Sequence, residues 1–236
     1  MFRLIKRWLP AKDEVRKPMI FARQSTAMIR REYQGKPLEE KNVDPNPFQQ
    51  FEIWFEEAAK VIEIDPNAMT LSTVDSGGQP SSRTVLLKGF DDEGFTFYTN
   101  YESRKGVQIT QNPKVSLTFY WPEMVRQICI EGTVEKTTAS QSDTYFRTRP
   151  VGSRISALVS PQSRELSSRQ ELEKLVKQIQ KEYDNYDEIP RPPNWGGFIV
   201  HPSRFEFWQG RINRLHDRIC YIKMDNDLWK ICRLAP

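Results

Sequence analysis

Four segments of this chain collect cations beside hydroxyls and aromatic rings. In the first, Arg83 and Lys88 flank Thr84, Val85, Leu86 and Leu87. A strand with a cation at each end is unusual, because charges are rarely buried unpaired. The alternative is that both side chains reach solvent from the strand ends. A regular strand would point the two cations to opposite faces. One ligand can meet both only if the strand is irregular or its end curls. In the second segment, Tyr98, Thr99, Ser103, Arg104 and Lys105 lead into a predicted helix with Ser103 as N-cap. Cations in a first turn oppose the helix dipole. That cost makes sense if a phosphate sits at the free backbone donors there; an exposed basic turn is the alternative.

The third segment holds Tyr145 and Arg149, which share a helix face. With Ser153 they could offer phenol, guanidinium and hydroxyl to one phosphate; a surface helix end is the plainer reading. Gln162 and Ser163 add a polar pair in a loop. The fourth runs from Phe207-Trp208-Gln209-Gly210 to Arg214, Leu215, His216, Asp217 and Arg218. Trp208 offers a flat wall. On a strand, Arg214, His216 and Arg218 would face one side. His216 is one of two histidines, and a lone histidine is more often structural, but its flanking arginines favour function. Phosphate-sized sites beside aromatic walls imply a flat, anionic, aromatic ligand, and a flavin mononucleotide with a phosphorylated heterocycle would fit.

Other chemistries lack a motif. The chain contains no GxGxxG, P-loop, GxSxG or HExxH pattern. Lys plus Arg is 35 against 31 Asp plus Glu, a net charge of +4. That is too weak an asymmetry for a chain that lives on nucleic acid. Three scattered cysteines, Cys129, Cys220 and Cys232, disfavour a disulfide framework and a zinc site, and no metal is expected. A reducing, cytoplasmic setting follows. No apolar run is long enough to span a membrane. The basic amphipathic start, residues 1–10, reads as a frayed terminus, with a mitochondrial presequence as the alternative.

The elements that must position these residues read as mainly β. Residues 1–43 form a mobile arm, with a short helix over 25–33; residues 44–236 form one domain. Asp44-Pro45-Asn46-Pro47 is a start signal for a helix with Phe48, Phe51, Trp54, Phe55, Ala58, Val61 and Ile62 on one face. Strands are predicted over 68–74, 81–88, 95–99, 115–120 and 126–135, with a helix over 103–111 among them. Helices follow over 140–147 and from a Ser168–Glu171 capping box to about 183. Strands over 198–201, 204–209, 218–223 and 228–234 end the chain. Strands and helices do not alternate, which favours an antiparallel barrel with helices at its ends, an α+β and mainly β fold.

At these same segments the chain resembles the pyridoxine (pyridoxamine) 5′-phosphate oxidase family, from about Ala27 to Pro236. The motifs are Arg30-Arg31-Glu32-Tyr33, Arg83 to Lys88, Tyr98-Thr99, Ser103-Arg104-Lys105, Arg126-Gln127, Gln162-Ser163, Phe207 to Gly210, Arg214 to Arg218 and Arg233-Leu234-Ala235-Pro236. The resemblance implies a split β-barrel homodimer with FMN where two subunits meet. It implies oxidation of pyridoxamine or pyridoxine 5′-phosphate to pyridoxal 5′-phosphate by hydride transfer from the 4′ carbon, with O2 reoxidising the flavin to give H2O2. Carried over by position, the flavin contacts are Arg83 to Lys88, Tyr98, Thr99, Arg104, Lys105, Gln127, Gln162, Ser163, Trp208 and Arg218. Lys88, Tyr145, Arg149 and Ser153 match the substrate-phosphate contacts. Arg214 and His216, the catalytic pair, match residues that hold the substrate ring, with Leu215 between them. Arg30, Arg31, Glu32 and Tyr33 match a segment that closes over substrate. The chain departs from the family pattern at Arg154 and Ser156, which add charge and bulk. A related split-barrel flavoprotein with another substrate, a flavin binder without activity, and a nucleic-acid module are the competing readings.

Overall fold

The computed structural model describes residues 32–183 and 189–236. Helix α1, Pro47–Val61, opens the body, capped by the Asn46 side chain, which accepts from the Phe48 N–H. Strands β1 (Ala68–Val74), β2 (Pro80–Leu86), β3 (Gly89–Phe90) and β4 (Phe95–Asn100) follow, then α2 (Arg104–Gln111), β5 (Lys114–Trp121) and β6 (Arg126–Lys136). Helices α3 (Ala139–Thr148), α4 (Val151–Val159) and α5 (Arg169–Glu182) precede β7 (Trp195–Gln209), β8 (Asp217–Lys223) and β9 (Trp229–Arg233).

All nine strands join one antiparallel sheet, curled into a half-barrel, in the order β2-β1-β5-β6-β7-β4-β3, with β8 and β9 continuing from β7. The expected fold class is the one found. The curl follows from β7, which pairs with β6 along its length but with β4 through residues 195–200 and with β8 through residues 204–209. The sequence predicts two strands here, broken near Pro202. They are one strand, because Pro202 sits opposite Gly132, where the β6 register shifts at Glu131/Gly132. A bulge is where a proline without an N–H can be accommodated.

Helix α1 lays Phe48, Phe51, Trp54 and Ala58 against the sheet, while Val61 turns to solvent. Phe51 is fully buried and touches Phe55, Phe90, Phe95 and Phe119. A second, smaller core of Phe146, Ile155, Ile189 and Trp195 lies under α3, α4 and α5. Helix α4 is not among the predicted elements; it opens behind Pro150, and proline is well tolerated at the mouth of a helix. At α5, Ser168 does accept from the Glu171 N–H, but the Glu171 carboxylate turns back to Ser167, so the predicted box is half formed. The reciprocal box is at Thr138 and Gln141 instead.

The predicted arm divides. Residues 1–31, including most of the predicted short helix, lie outside the described residues; Glu32 and Tyr33 are not helical. From Gly35 onward the chain lies on the body: the Gly35 N–H bonds Gly210 O at 3.2 Å and Leu38 is buried in the main core. Among the described residues, no helix is long and apolar enough to cross a membrane, and no cluster of His, Cys, Asp and Glu could hold a metal ion.

Candidate active site

Strand β2 leaves its partner just before Lys88. Leu86 still pairs with Ala68 on β1, but the Leu87 N–H goes to Asn67 O and the Lys88 N–H to Thr96 O on β4. This change of partner is the irregularity that two cations serving one ligand would require. It brings Arg83 and Lys88, with Thr84, Val85 and Leu86, to the wall of one cavity of about 500 Å³. The Leu87 side chain points away into the core.

Arg83 is fixed before any ligand arrives. Its guanidinium donates to Leu71 O (3.2 Å), Thr73 Oγ1 (2.6 Å) and Ser81 Oγ (2.6 Å). Gln108 Oε1 accepts from Thr73 and Ser81 and, at 3.4 Å, from Arg83 itself. Burial and then the neighbouring Arg104 charge lower the Arg83 pKa. Helix α2 starts beside it, with Ser103 Oγ accepting from the Gly106 N–H. Arg104 faces solvent and Lys105 folds inward, its Nζ 3.2 Å from Thr99 Oγ1 and 3.5 Å from Gln162 Oε1. Burial, then the Arg83 charge, pushes the Lys105 ammonium down to about 8. Ser163 lies outside the cavity lining, in a left-handed conformation (φ 74°).

The opposite wall is aromatic. Tyr98 and Tyr145 stack at 3.8 Å between ring centroids, and Trp195 stacks 5.7 Å from Tyr98. Burial raises the pKa of both phenols, so they remain donors at neutral pH. The Arg149 guanidinium lies 4.4 Å over the Trp195 ring. Its Nη1 is buried with no hydrogen-bond partner, and burial lowers its pKa. Tyr145 and Arg149 share the cavity, but not on one helix face: α3 ends at Thr148 and Arg149 is its extended C-cap; Ser153, on α4, is not in the lining. Of the two departures, Arg154 is buried and Ser156 exposed.

A second set of candidates lies elsewhere. Gln127, Trp208, Arg214, His216 and Arg218 are all absent from that cavity's lining. Arg214 and His216 are not on a strand. Arg214 ends a 3-10 turn, Ile212–Arg214, with φ at 64°, and β8 begins only at Asp217. The loop still gathers them: Trp208 and His216 ring centroids are 4.7 Å apart, Tyr33 lies 5.9 Å from Trp208 and 5.7 Å from His216, and the Arg214 guanidinium sits 5.4 Å over Tyr33. His216 Nδ1 accepts from the Arg211 N–H at 3.1 Å, which leaves the proton of the neutral ring on Nε2. Burial and then Arg214 lower the His216 pKa, against an upward pull from Asp217. Arg218 is occupied, donating to Glu206 Oε1 and Ala235 O, both at 2.8 Å. Leu215 is exposed. Gln127 Nε2 reaches the Cys129 sulfur. Arg30 and Arg31 lie outside the described residues.

Sequence reasoning missed Trp195, Asn100 and Gln108. The signal for Trp195 was the Gly196-Gly197 pair behind it. A Cβ at Gly197 would stand 2.4 Å from Thr137 Oγ1 and 2.8 Å from the Tyr98 ring. Only glycine lets β7 approach the aromatic wall so closely.

Among the described residues, none of Arg83, Lys88, Lys105 and Arg149 has a carboxylate partner. Cations gathered without counter-ions, one with a bare buried N–H, fit an anionic ligand, and the stacked rings fit a flat one. Residues 55–183 match the family model for pyridoxamine 5′-phosphate oxidase, and residues 195–236 match that for the pyridoxine 5′-phosphate oxidase C-terminal dimerisation region. The chain belongs to the pyridoxamine 5′-phosphate oxidase family. It is 50% identical to the pyridoxine/pyridoxamine 5′-phosphate oxidase of Gloeothece citriformis, over 90% of this chain and 99% of that one. Identity to the protein of that name from Rubrobacter xylanophilus is 49%, over 91% and 98%. Among solved structures, PhzG from Burkholderia lata, in complex with tetrahydrophenazine-1-carboxylic acid, superposes with a TM-score of 0.79 at 30% identity, covering 86% of this chain and all of that one. An FMN-binding family relative from Nostoc punctiforme shares the fold, with a TM-score of 0.65 at 18% identity, covering 85% and 100%.

Proposed function

We propose that the protein oxidises pyridoxine 5′-phosphate and pyridoxamine 5′-phosphate to pyridoxal 5′-phosphate with FMN and O2, as a homodimer whose sites each draw on both subunits. The observation that carries this reading is the split of the candidate residues into two sets. The cavity set meets β7 at Gly197, opposite Tyr98, and the second set meets it at Trp208. Eleven residues of β7 separate these points, a contour of roughly 35 Å. A flavin-sized ligand in the cavity cannot reach the second set of its own subunit along that path. A second copy can supply it, and the match of residues 195–236 to a dimerisation region supports that arrangement.

Arg83 on β2, together with Arg104 and Lys105 at the N-terminus of α2, holds the FMN phosphate. Thr84 to Leu86, Tyr98, Thr99 and Gln162 line its body from one subunit, with Leu87 behind them in the core and Ser163 at the margin; Gln127, Trp208 and Arg218 line it from the other. Held there, FMN would supply a two-electron acceptor for the hydride from the substrate 4′ carbon, with O2 as final acceptor giving H2O2; the amine substrate would also take up water and release ammonia to reach the aldehyde. Lys88, Tyr145, Arg149 and Ser153 hold the substrate phosphate, with the bare Arg149 N–H finding its acceptor there. Arg214 and the Nε2–H of His216 orient the substrate ring. Tyr33, with Glu32, covers the ring and excludes water.

The test is spectroscopic. FMN-loaded protein mixed with pyridoxamine 5′-phosphate without oxygen should lose its flavin absorbance bands, then regain them in air as pyridoxal 5′-phosphate forms. Bands unchanged by both phosphate esters would leave a flavin binder with another substrate.

A further inference from the structure

Arg233, near the end of the chain, makes four hydrogen bonds to distant segments. It donates to both oxygens of Glu40 (2.9 and 2.7 Å), to Asp217 Oδ1 (2.8 Å) and to Leu38 O (2.8 Å). Asp217 Oδ2 accepts the Leu38 N–H at 3.0 Å and lies 3.4 Å from Arg211 Nε. Arg211 in turn donates from its guanidinium to Gly35 O and from its backbone to His216 Nδ1. Both faces of the 35–40 segment are thus tied to β8, β9 and the loop that carries His216. Tyr33 is two residues before the first of these ties.

We infer that Arg233 is a positioning residue: through Glu40 and Asp217 it holds the 35–40 segment so that Tyr33 stands against Trp208 and His216. Stability alone does not account for the arrangement. The Arg233 and Glu40 side chains are 37% and 48% exposed, and pairs this exposed contribute little to folding. A bidentate pair does fix direction, however. Here it fixes the exit of a segment whose next aromatic ring packs on the proposed substrate side. Gly35 admits the segment: a Cβ there would stand 2.5 Å from Gly210 O, so no other residue fits. The Tyr33 ring touches Trp208, His216 and Arg214, and its Cβ lies against Gly210, where an added Cβ would stand 3.1 Å away.

This inference rests on the oxidase reading for its kinetic consequence, so the experiment carries one readout that does not. Arg233→Ala and Tyr33→Ala, alone and together, are compared for KM, kcat and FMN affinity. Each single variant should raise KM for pyridoxine 5′-phosphate by about tenfold with FMN affinity kept. The double variant should be no worse than either, because both remove the same contact. In parallel, the His216 ring resonance is followed by NMR in the FMN-loaded protein. Loss of the Tyr33 ring should shift it, and Arg233→Ala should shift it in the same direction. If Arg233→Ala does not fold, Glu40→Ala, an exposed partner of the same tie, replaces it. Effects that multiply in the double variant, or a His216 resonance unmoved by Arg233→Ala, would overturn the inference. Wild-type protein without oxidase activity would overturn the oxidase reading while the NMR comparison still decides this one.

Discussion

The Arg149 guanidinium stacks 4.4 Å over the Trp195 ring and keeps its Nη1 buried with no acceptor. A bare buried N–H costs about 1–3 kcal/mol, a cost that a phosphate oxygen at that point would remove. Lysine keeps the charge but lacks the planar, forked guanidinium that lies flat on Trp195 while aiming a fixed N–H at the cavity. Arg149→Lys should therefore raise KM for pyridoxine 5′-phosphate by about 10- to 100-fold, the worth of a charge-assisted bond. FMN affinity should stay within a factor of about two. Steady-state kinetics with a parallel flavin titration checks both.

Lys105 gives flavin binding a pH dependence. Its ammonium titrates at about 8, held down by burial and by Arg83, and a bound phosphate would raise that value. Binding then takes up a proton above pH 8, and FMN affinity should fall as pH rises, approaching tenfold per unit until the bound-state value is reached. Fluorescence titration between pH 7 and 9.5 reads this directly. Lys105→Arg, which stays charged, should flatten the profile.

Arg214 acts on His216 as well as in its proposed role toward substrate. Its charge is the second cause, after burial, of the lowered His216 pKa. Arg214→Ala should move that pKa upward, and with two histidines in the chain one further variant assigns the NMR signal. A pKa that stays put would mean the loop rearranges when Arg214 is lost. The double variant Arg214→Ala/His216→Ala should lose turnover while still holding flavin. Turnover restored by excess FMN would move this pair to the cofactor side.

Phe51 tests what holds the site's scaffold. It is fully buried, with Phe90 at 4.9 Å, Phe95 at 4.8 Å and Phe119 at 5.1 Å. Phe51→Ala should cost about 3–5 kcal/mol, read as a lower urea midpoint in the FMN-free protein. Phe51→Leu should cost less.

Much of this was legible in the sequence, because local rules governed it. The aromatic face of α1, the strand over 68–74 and the Ser103 cap follow from periodicity and capping chemistry, and the structure has them. The cationic clusters were visible because charges in apolar strands need a reason. What sequence could not supply was long-range. The union of 198–201 and 204–209 into β7 depends on a register shift in another strand, β6. Leu87 and Lys88 change partners because Asn67 and β4 are there to receive them. Arg214 and His216 look alternating on paper, but a left-handed Asn213 and Arg214 make a turn. Trp195 was hidden because it stacks on Tyr98 and Tyr145, 97 and 50 positions away in the chain, which only the fold brings to it.

The claim that each site is built from two subunits is tested most directly by mixing two inactive proteins. Arg149→Ala removes a cavity residue and His216→Ala a residue of the other set. Unfolded together and refolded with FMN, they should form mixed dimers in which one site carries both substitutions and the other neither. Random pairing makes half the dimers mixed, so activity should return to about one quarter of wild type. Activity that stays at the average of the two parents would contradict the shared site.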